Sequence, residues 1–194
     1  MTSLDNSELL EKALEEFAIK GFEGTSVRNL CRKINVSHNY VVQKYGSKDR
    51  LWEMSVDFGF KNLATRLAEA VNAAPKDPLI RLKTVLCQYI VVMAENPSII
   101  QIINQESTVN SRRLNFIYDN YVGPIHLLAD GYIRNLVSQG LIRYISPIEL
   151  HFLIGHGAGG IVSQVHLSKR FIPEGDLNEF ALDAVKIVFN SILL

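Results

Sequence analysis

The chain has 194 residues, 47% hydrophobic and 21% charged, which is ordinary globular composition and length enough to bury a sizeable core. Twenty basic against twenty acidic side chains leave no net charge and argue against a general polyanion binder; the longest apolar runs, such as Tyr89–Ala94 and Phe152–Ile154, exclude a membrane-spanning helix. Cys31 and Cys87 stand too far apart for a disulfide scaffold or a Cys-based zinc site, and the start Met1-Thr2-Ser3-Leu4-Asp5 shows no secretory pattern, so a cytoplasmic protein is expected.

In chain order, Leu10, Ala13, Leu14, Phe17 and Ala18 fall at helical spacing, with Asn6 or Ser7 as cap and Gly21 as terminator. Thr25 is expected to cap a short second helix in which Val27, Leu30, Cys31 and Ile34 share a face, and Asn35 suits the left-handed turn that ends it. Ser37 caps a third helix whose apolar residues Val41, Val42 and Tyr45 leave His38, Asn39, Tyr40, Gln43 and Lys44 facing outward. Two short helices joined by a tight turn are the sequence form of a helix-turn-helix. Ser47 caps a long fourth helix to about Asn72, broken by Pro75 and Pro78. Further helices are expected over Leu79–Glu95, Ser98–Ser107, Ser111–Gln139 with a kink at Gly123-Pro124, Pro147 to about Lys169, and Asp176–Ile192. No strand alternation or internal repeat appears, so the class is all-α.

Charge is unevenly distributed. Residues 1–24 carry two basic and six acidic side chains (net −4). Residues 25–50 set Arg28, Arg32, Lys33, Lys44, Lys48 and Arg50 against Asp49 alone (net +5), and the remainder is near neutral at −1. A local basic stretch in a neutral chain is the electrostatic footprint of a small nucleic-acid-binding surface.

The run Leu10-x-x-Ala13-x-x-x-Phe17-x-x-x-Gly21-Phe22-x-x-Thr25-Ser26-Val27-Arg28-x-Leu30, continued by Val36-Ser37 and by Tyr45-Gly46-Ser47-Lys48-Asp49-x-Leu51, resembles the N-terminal DNA-binding domain of TetR-family transcriptional regulators. The resemblance implies two domains: residues 1–46 as a three-helix DNA-binding domain and 47–194 as a helical effector-binding and dimerisation domain, connected by the helix over about 47–72. It implies no catalysis and no cofactor, but a homodimer whose two reading heads enter successive major grooves of a roughly palindromic operator, released when a small molecule shifts the fourth helix. On physical grounds His38, Asn39, Tyr40, Gln43 and Lys44 supply donors and acceptors for base edges, while Thr25, Ser26, Arg28, Tyr45 and Lys48 supply phosphate contacts. Ser37 opens the helix that carries the first set. The sequence departs from the family at Val42, which lacks the hydroxyl that a family tyrosine commonly gives to a phosphate; Tyr40 partly replaces it.

Three other features carry weaker signals. Gly155, Gly157 and Gly160 formally satisfy a dinucleotide-binding pattern, but no strand precedes them and helical spacing explains them better: Gly155, Gly159 and Ser163 form a small-residue ridge. That ridge admits a close approach by another helix or a ligand, including packing across a dimer axis. His126, His151, His156 and His166 show no pairing at the four-residue spacing of a helical metal site, so no metal is expected. For a largely apolar effector the candidate contacts are Met93, Gln105, Tyr118, Tyr121 and His156. The last two helices are expected to form the dimer, with Phe180, Ala181, Ala184, Val185, Ile187, Val188 and Ile192 in one stripe and Leu182, Phe189 and Leu193 on the other side. The alternative reading is an α-helical ligand-binding or interaction protein that has lost DNA binding.

Overall fold

The computed structural model describes residues 5–194, which fall into two compact units. All their regular structure is helical, apart from one isolated antiparallel bridge between Ile142 and Leu193. No single described helix is long and apolar enough to cross a membrane.

The first unit comprises the chain up to Asn62 together with Asn96–Ile117. Helix α1 (Asn6–Gly24) buries Leu10, Ala13, Leu14, Phe17 and Ala18, the face expected from their spacing. Gly21 leaves the helical region (φ 70°, ψ 170°), and the kink turns Phe22 back so that its ring stacks 6.0 Å from Phe17 and meets Trp52 edge-on. Helix α2 (Val27–Lys33) ends at Asn35, which takes the left-handed conformation (φ 55°). Its cap is Ser26 and not Thr25, because Thr25 is drawn inward and its hydroxyl donates to the Gly21 carbonyl at 2.7 Å. Helix α3 (His38–Tyr45) closes at Gly46 (φ 77°), and α4 (Lys48–Ala73) begins under Ser47, whose Oγ accepts from the Arg50 N–H at 3.1 Å.

Helix α6 (Pro97–Glu106) lies along α1, and the close approach is permitted by Gly59 on α4. A methyl group at Gly59 would stand 2.5 Å from Ile99 Cδ1 and 2.8 Å from Leu14 Cδ2. Helix α7 (Arg112–Ile117) completes the unit, with Phe116 against Trp52. The first unit thus takes in α6 and α7 and the first half of α4, a division different from the sequence boundary at residue 46. The reason is packing: the apolar face of α1 is covered in part by a segment that comes fifty residues after the helix-turn-helix.

The second unit comprises Leu63–Glu95 and Tyr118–Leu194. Helix α5 (Pro78–Glu95) and helix α12 (Leu177–Ile192) pack together, with Leu82, Ile90, Met93, Ala181, Val185 and Phe189 buried. The helix expected over Ser111–Gln139 runs as three successive parts: α7, a π-helical segment π1 (Tyr118–Val122) and α8 (Gly123–Ser138). Pro124 has no N–H for the turn before it, and the wider π turn takes up that loss where a kink was expected.

The helix expected over Pro147–Lys169 is not continuous either. Helix α9 (Pro147–Leu150) starts with a capping box between Ser146 and Glu149, then gives way to π2 (His151–Ala158) and α10 (Gly159–Ser163). Gln164 breaks the helix (φ −101°, ψ 50°) before α11 (Val165–Phe171). The ridge of Gly155 and Gly159 is occupied within the chain: a methyl at Gly159 would meet Met93 Cε at 2.8 Å, and one at Gly155 would lie 3.5 Å from the Tyr89 hydroxyl. Helix α5 therefore fills the place the sequence reading left open to a dimer partner, and glycines inside helical backbone with no strand beside them form no nucleotide-binding turn. Phe189, on the other side of α12 from the stripe, is buried, as are Ala181, Val185 and Ile192 of the stripe, whereas Phe180 and Ile187 of the stripe are exposed.

Candidate nucleic-acid interface

The helix-turn-helix is held from beneath by polar groups. Glu16, almost wholly buried on α1, takes Lys20 on one oxygen and Lys33 of α2 at 2.9 Å on the other. The hydrogen bonds from Lys20 and Lys33 hold its carboxyl below the usual carboxylate range. On α3, Val41 and Tyr45, one helical turn apart, are buried, and the Tyr45 hydroxyl donates to Asn6 Oδ1 at 2.7 Å. This fixes α3 against the start of α1.

The opposite face of α3 is open. Asn39, Gln43 and Lys44 are exposed, Tyr40 is 43% exposed, and His38 is half-buried. Lys44 donates to the Tyr40 hydroxyl at 2.9 Å, and that bond raises the lysine pKa, so the pair presents a firmly cationic, hydroxyl-bearing edge. Val42, assigned to the inner side by the sequence reading, is also 43% exposed. It stands among the outward residues of α3 as an apolar group of the kind that reads a thymine methyl. The missed signal was position: Val41 and Tyr45 alone complete the inner stripe, so the next residue must face out.

The candidate phosphate contacts separate into two groups. Arg28, Ser26 and Ser37 are exposed, and Arg28 makes no ion pair among the described residues. Lys48 is half-buried; its ammonium lies 4.4 Å from the Phe22 ring centroid and 3.4 Å from the Glu23 carbonyl. Thr25 (3% exposed) and Tyr45 have hydroxyls already committed to protein acceptors. Arg32 stays exposed and bonds Asn29, while Arg50 pairs with Glu53 at 3.0 Å.

Helix α7 adds contacts that the sequence did not signal. The Arg113 guanidinium lies 4.1 Å from the Phe22 ring centroid and bonds buried Glu106 at 2.9 Å, and Arg112 reaches Glu53 at 3.2 Å. Lys48 and Arg113 thus share the same aromatic ring.

The effector candidates do not all come together. Met93 is buried against Gly159 in the second unit, Tyr121 is half-buried, and Tyr118 and His156 are exposed. Gln105 belongs to the first unit, where its amide donates to the Ala18 carbonyl at 2.7 Å. A cleft of about 340 Å³ in the second unit is lined by Arg66, Glu69, Ala70 and Ala73 of α4 and by Thr84 and Gln88 of α5. Among the described residues no group of three His, Cys, Asp or Glu side chains is arranged to hold a metal ion.

Residues 9–53 match the family model of bacterial regulatory proteins, tetR family. No curated protein matches the chain. Among solved structures, the chain resembles the ketosteroid transcriptional regulator KstR2 of Mycobacterium tuberculosis at 16% identity and a TM-score of 0.69, covering 100% of this chain and 97% of that one. It resembles the TetR-family transcriptional regulator PfmR of Thermus thermophilus at 19% identity and a TM-score of 0.67, covering 97% of each chain. Identities this low establish a common fold.

Proposed function

We propose that this chain, a DNA-binding transcription regulator of the tetR family, is a repressor that binds its operator as a homodimer and is released from it by a small molecule. The observation that carries the reading is the open face of α3, with Tyr40, Val42, Gln43 and Lys44 outward above a buried Val41–Tyr45 stripe. In this reading Asn39, Tyr40, Gln43 and Lys44, with His38 at the helix start, meet base edges in the major groove, and Val42 meets a thymine methyl. Ser26, Arg28, Ser37 and Lys48 hold phosphates, while Thr25 and Tyr45 act one step back by fixing the helices that carry them. The protein performs no chemistry and works in the cytoplasm, where its operator is.

Binding two half-sites at once requires reading heads spaced about 34–36 Å apart, one turn of DNA, so a small reorientation suffices to release the operator. For the effector the second unit offers an apolar interior: its buried side chains are hydrophobic, and an unpaired charge among them would be costly. Met93 and Tyr121 are the contacts we favour, for a largely neutral ligand. The dimer is assigned to the segment 147–171 and α12, whose Phe152, Leu153, Phe180 and Ile187 are exposed in the single chain.

Titrations against operator and random duplex DNA at several salt concentrations test the assignment. Arg28→Ala and Lys48→Ala are expected to weaken both by similar factors and to lower the salt slope by about one phosphate each. Gln43→Ala is expected to cost about 1–3 kcal/mol on the operator and little on random DNA. A wild-type protein with no salt-dependent affinity for duplex DNA would favour the helical interaction protein that has lost DNA binding.

A further inference from the structure

We propose that the second unit pairs with a second copy of this chain through an uncharged face whose ionisable side chains are histidines, so that mild acidification dissociates the dimer and releases two-half-site DNA. The inference rests on the homodimer reading above and adds to it the start of α8 and the regulation.

From Leu150 to Ser168 the chain has no Asp, Glu, Lys or Arg, yet Phe152, Leu153, Val165 and Leu167 are about half exposed. The start of α8, residues 123–129, is equally free of those four types and exposes Ile125, Leu127 and Leu128. The two stretches meet through imidazoles. The His126 ring lies 5.0 Å from His151, His151 lies 5.3 Å from His156, and Phe152 stacks on His156 at 5.1 Å. The π-helical backbone makes this possible: residues five apart in an α-helix point about 140° away from each other, whereas the wider π turn brings His151 and His156 together.

The chosen occupant is a second copy because a two-fold interface sets a patch against itself, so like charges would face one another. A patch without fixed charges escapes that repulsion, and depletion of charge at the centre is the compositional mark of such interfaces. Water-exposed leucines and phenylalanines on neighbouring elements supply the driving area.

The histidines then set the condition under which pairing holds. Burial, with His126 and His156 adding to it, pulls the His151 pKa down to about 4, and burial also lowers His126. A second copy laid over the face would cover the histidines on it that now meet water. The sign follows: covering an imidazole without a charged partner disfavours its protonated form, so the dimer is favoured where the histidines are neutral and weakens as pH falls through the ordinary histidine range.

The elements around the cluster do not offset this. Helix α5 offers Tyr89, kept neutral by burial with a pKa of about 12, and α9 offers Glu149, held by Ser146. Helix α12 carries Glu179 and the Asp183–Lys186 pair, π1 carries Tyr118, Asp119 and Tyr121, and α8 carries Tyr132 and Asp130, the latter bound to Arg134; α10 has no ionisable side chain. The charges that act on His151 are those of His126 and His156.

Analytical ultracentrifugation of the full chain at pH 7.5 and 5.5, with far-ultraviolet circular dichroism alongside, tests the proposal. With at least one imidazole per protomer newly covered, the dimer dissociation constant is expected to rise about a hundredfold or more at pH 5.5, with helix content unchanged. The triple variant His126→Gln, His156→Gln, His166→Gln is expected to remain dimeric at both pH values. Equal dimer strength at both pH values in the wild type would overturn the histidine inference while the dimer reading stands. A monomer at pH 7.5 would overturn both. A triple variant that dissociates on acidification as the wild type does, or dissociation that accompanies loss of helix in both proteins, would also overturn it.

Discussion

The two units of this chain treat polar groups in opposite ways. Among the described residues, the buried polar side chains are Glu16, Thr25, Ser55 and Glu106, and all four lie in the first unit. Each has a partner inside the protein: Lys20 and Lys33 for Glu16, backbone carbonyls for Thr25 and Ser55, Arg113 for Glu106. The second unit buries apolar side chains and leaves other apolar side chains in water. A buried polar group with a fixed partner specifies one geometry, which suits a reading head that must hold α3 at a set angle. An exposed apolar face without fixed charge has no such demand and awaits burial by something else. The difference accords with the proposed reading, in which the first unit meets a polyanion and the second meets nonpolar surface.

The comparison is broken most directly at Trp52, fully buried where α1, α4 and α7 converge through Phe22 and Phe116. Trp52→Ala removes a large side chain from a packed core and is expected to cost about 3–5 kcal/mol. Thermal unfolding followed by circular dichroism should show the loss, and operator binding should vanish while sedimentation still reports the dimer. If the dimer were lost as well, the second unit would not be sufficient for pairing.

A smaller effect contrasts two glycines that each admit a neighbouring helix. At Gly59 an added methyl meets Ile99 and Leu14, a branched side chain and a packed one with little room to yield. At Gly159 it meets chiefly the end of Met93, a flexible thioether, with the Ile154 carbonyl next at 3.3 Å. Gly59→Ala is therefore expected to destabilise by about 1–3 kcal/mol, and Gly159→Ala by less than about 1 kcal/mol. Chemical denaturation of the two variants in parallel checks the order; equal losses would mean the Met93 site is as rigid as the Ile99 site.

The helix-turn-helix was legible in the sequence because its determinants are local. The left-handed Asn35, the Ser47 cap of α4 and the apolar stripe of α1 depend on residues within a turn or two of each other, whereas the caps of α1 and α2 fall at Asp5 and Ser26 and not at the expected Asn6 or Ser7 and Thr25. Three things were not legible, for a common reason. The place of α6 and α7 in the first unit depends on contacts between segments far apart in the chain, such as Ile99 with Gly59 and Arg113 with Phe22. The inward turn of Thr25 depends on carbonyls left free by the kink at Gly21. The histidine cluster was hidden by the assumption of a 3.6-residue period: His151 and His156 look unrelated until the backbone is known to be π-helical. Among the effector candidates, Gln105 lies in the first unit, and its position along α6 gives no sign that the Ala18 carbonyl takes its amide.

The finest version of the comparison lies within the reading head, between two serines in equivalent positions. Ser26 and Ser37 precede α2 and α3, and both are exposed. The Ser26 side chain accepts from the Asn29 N–H at 3.4 Å, whereas Ser37 makes no side-chain cap bond. A hydroxyl already used to cap a helix contributes to stability, and one left free at a helix N-terminus can donate to a phosphate while the uncapped N–H groups point the same way. Ser26→Ala is thus expected to cost about 0.5–1 kcal/mol in folding, towards the low end because the bond is long, and to affect operator affinity mainly through that loss. Ser37→Ala is expected to leave the unfolding midpoint nearly unchanged and to weaken operator binding about tenfold, the worth of a hydrogen bond to a charged acceptor. Unfolding curves and binding isotherms measured on the same two variants separate the effects. Were Ser37→Ala to lower stability and spare affinity, α3 would be capped by Ser37 in solution and its hydroxyl would have no share in holding DNA.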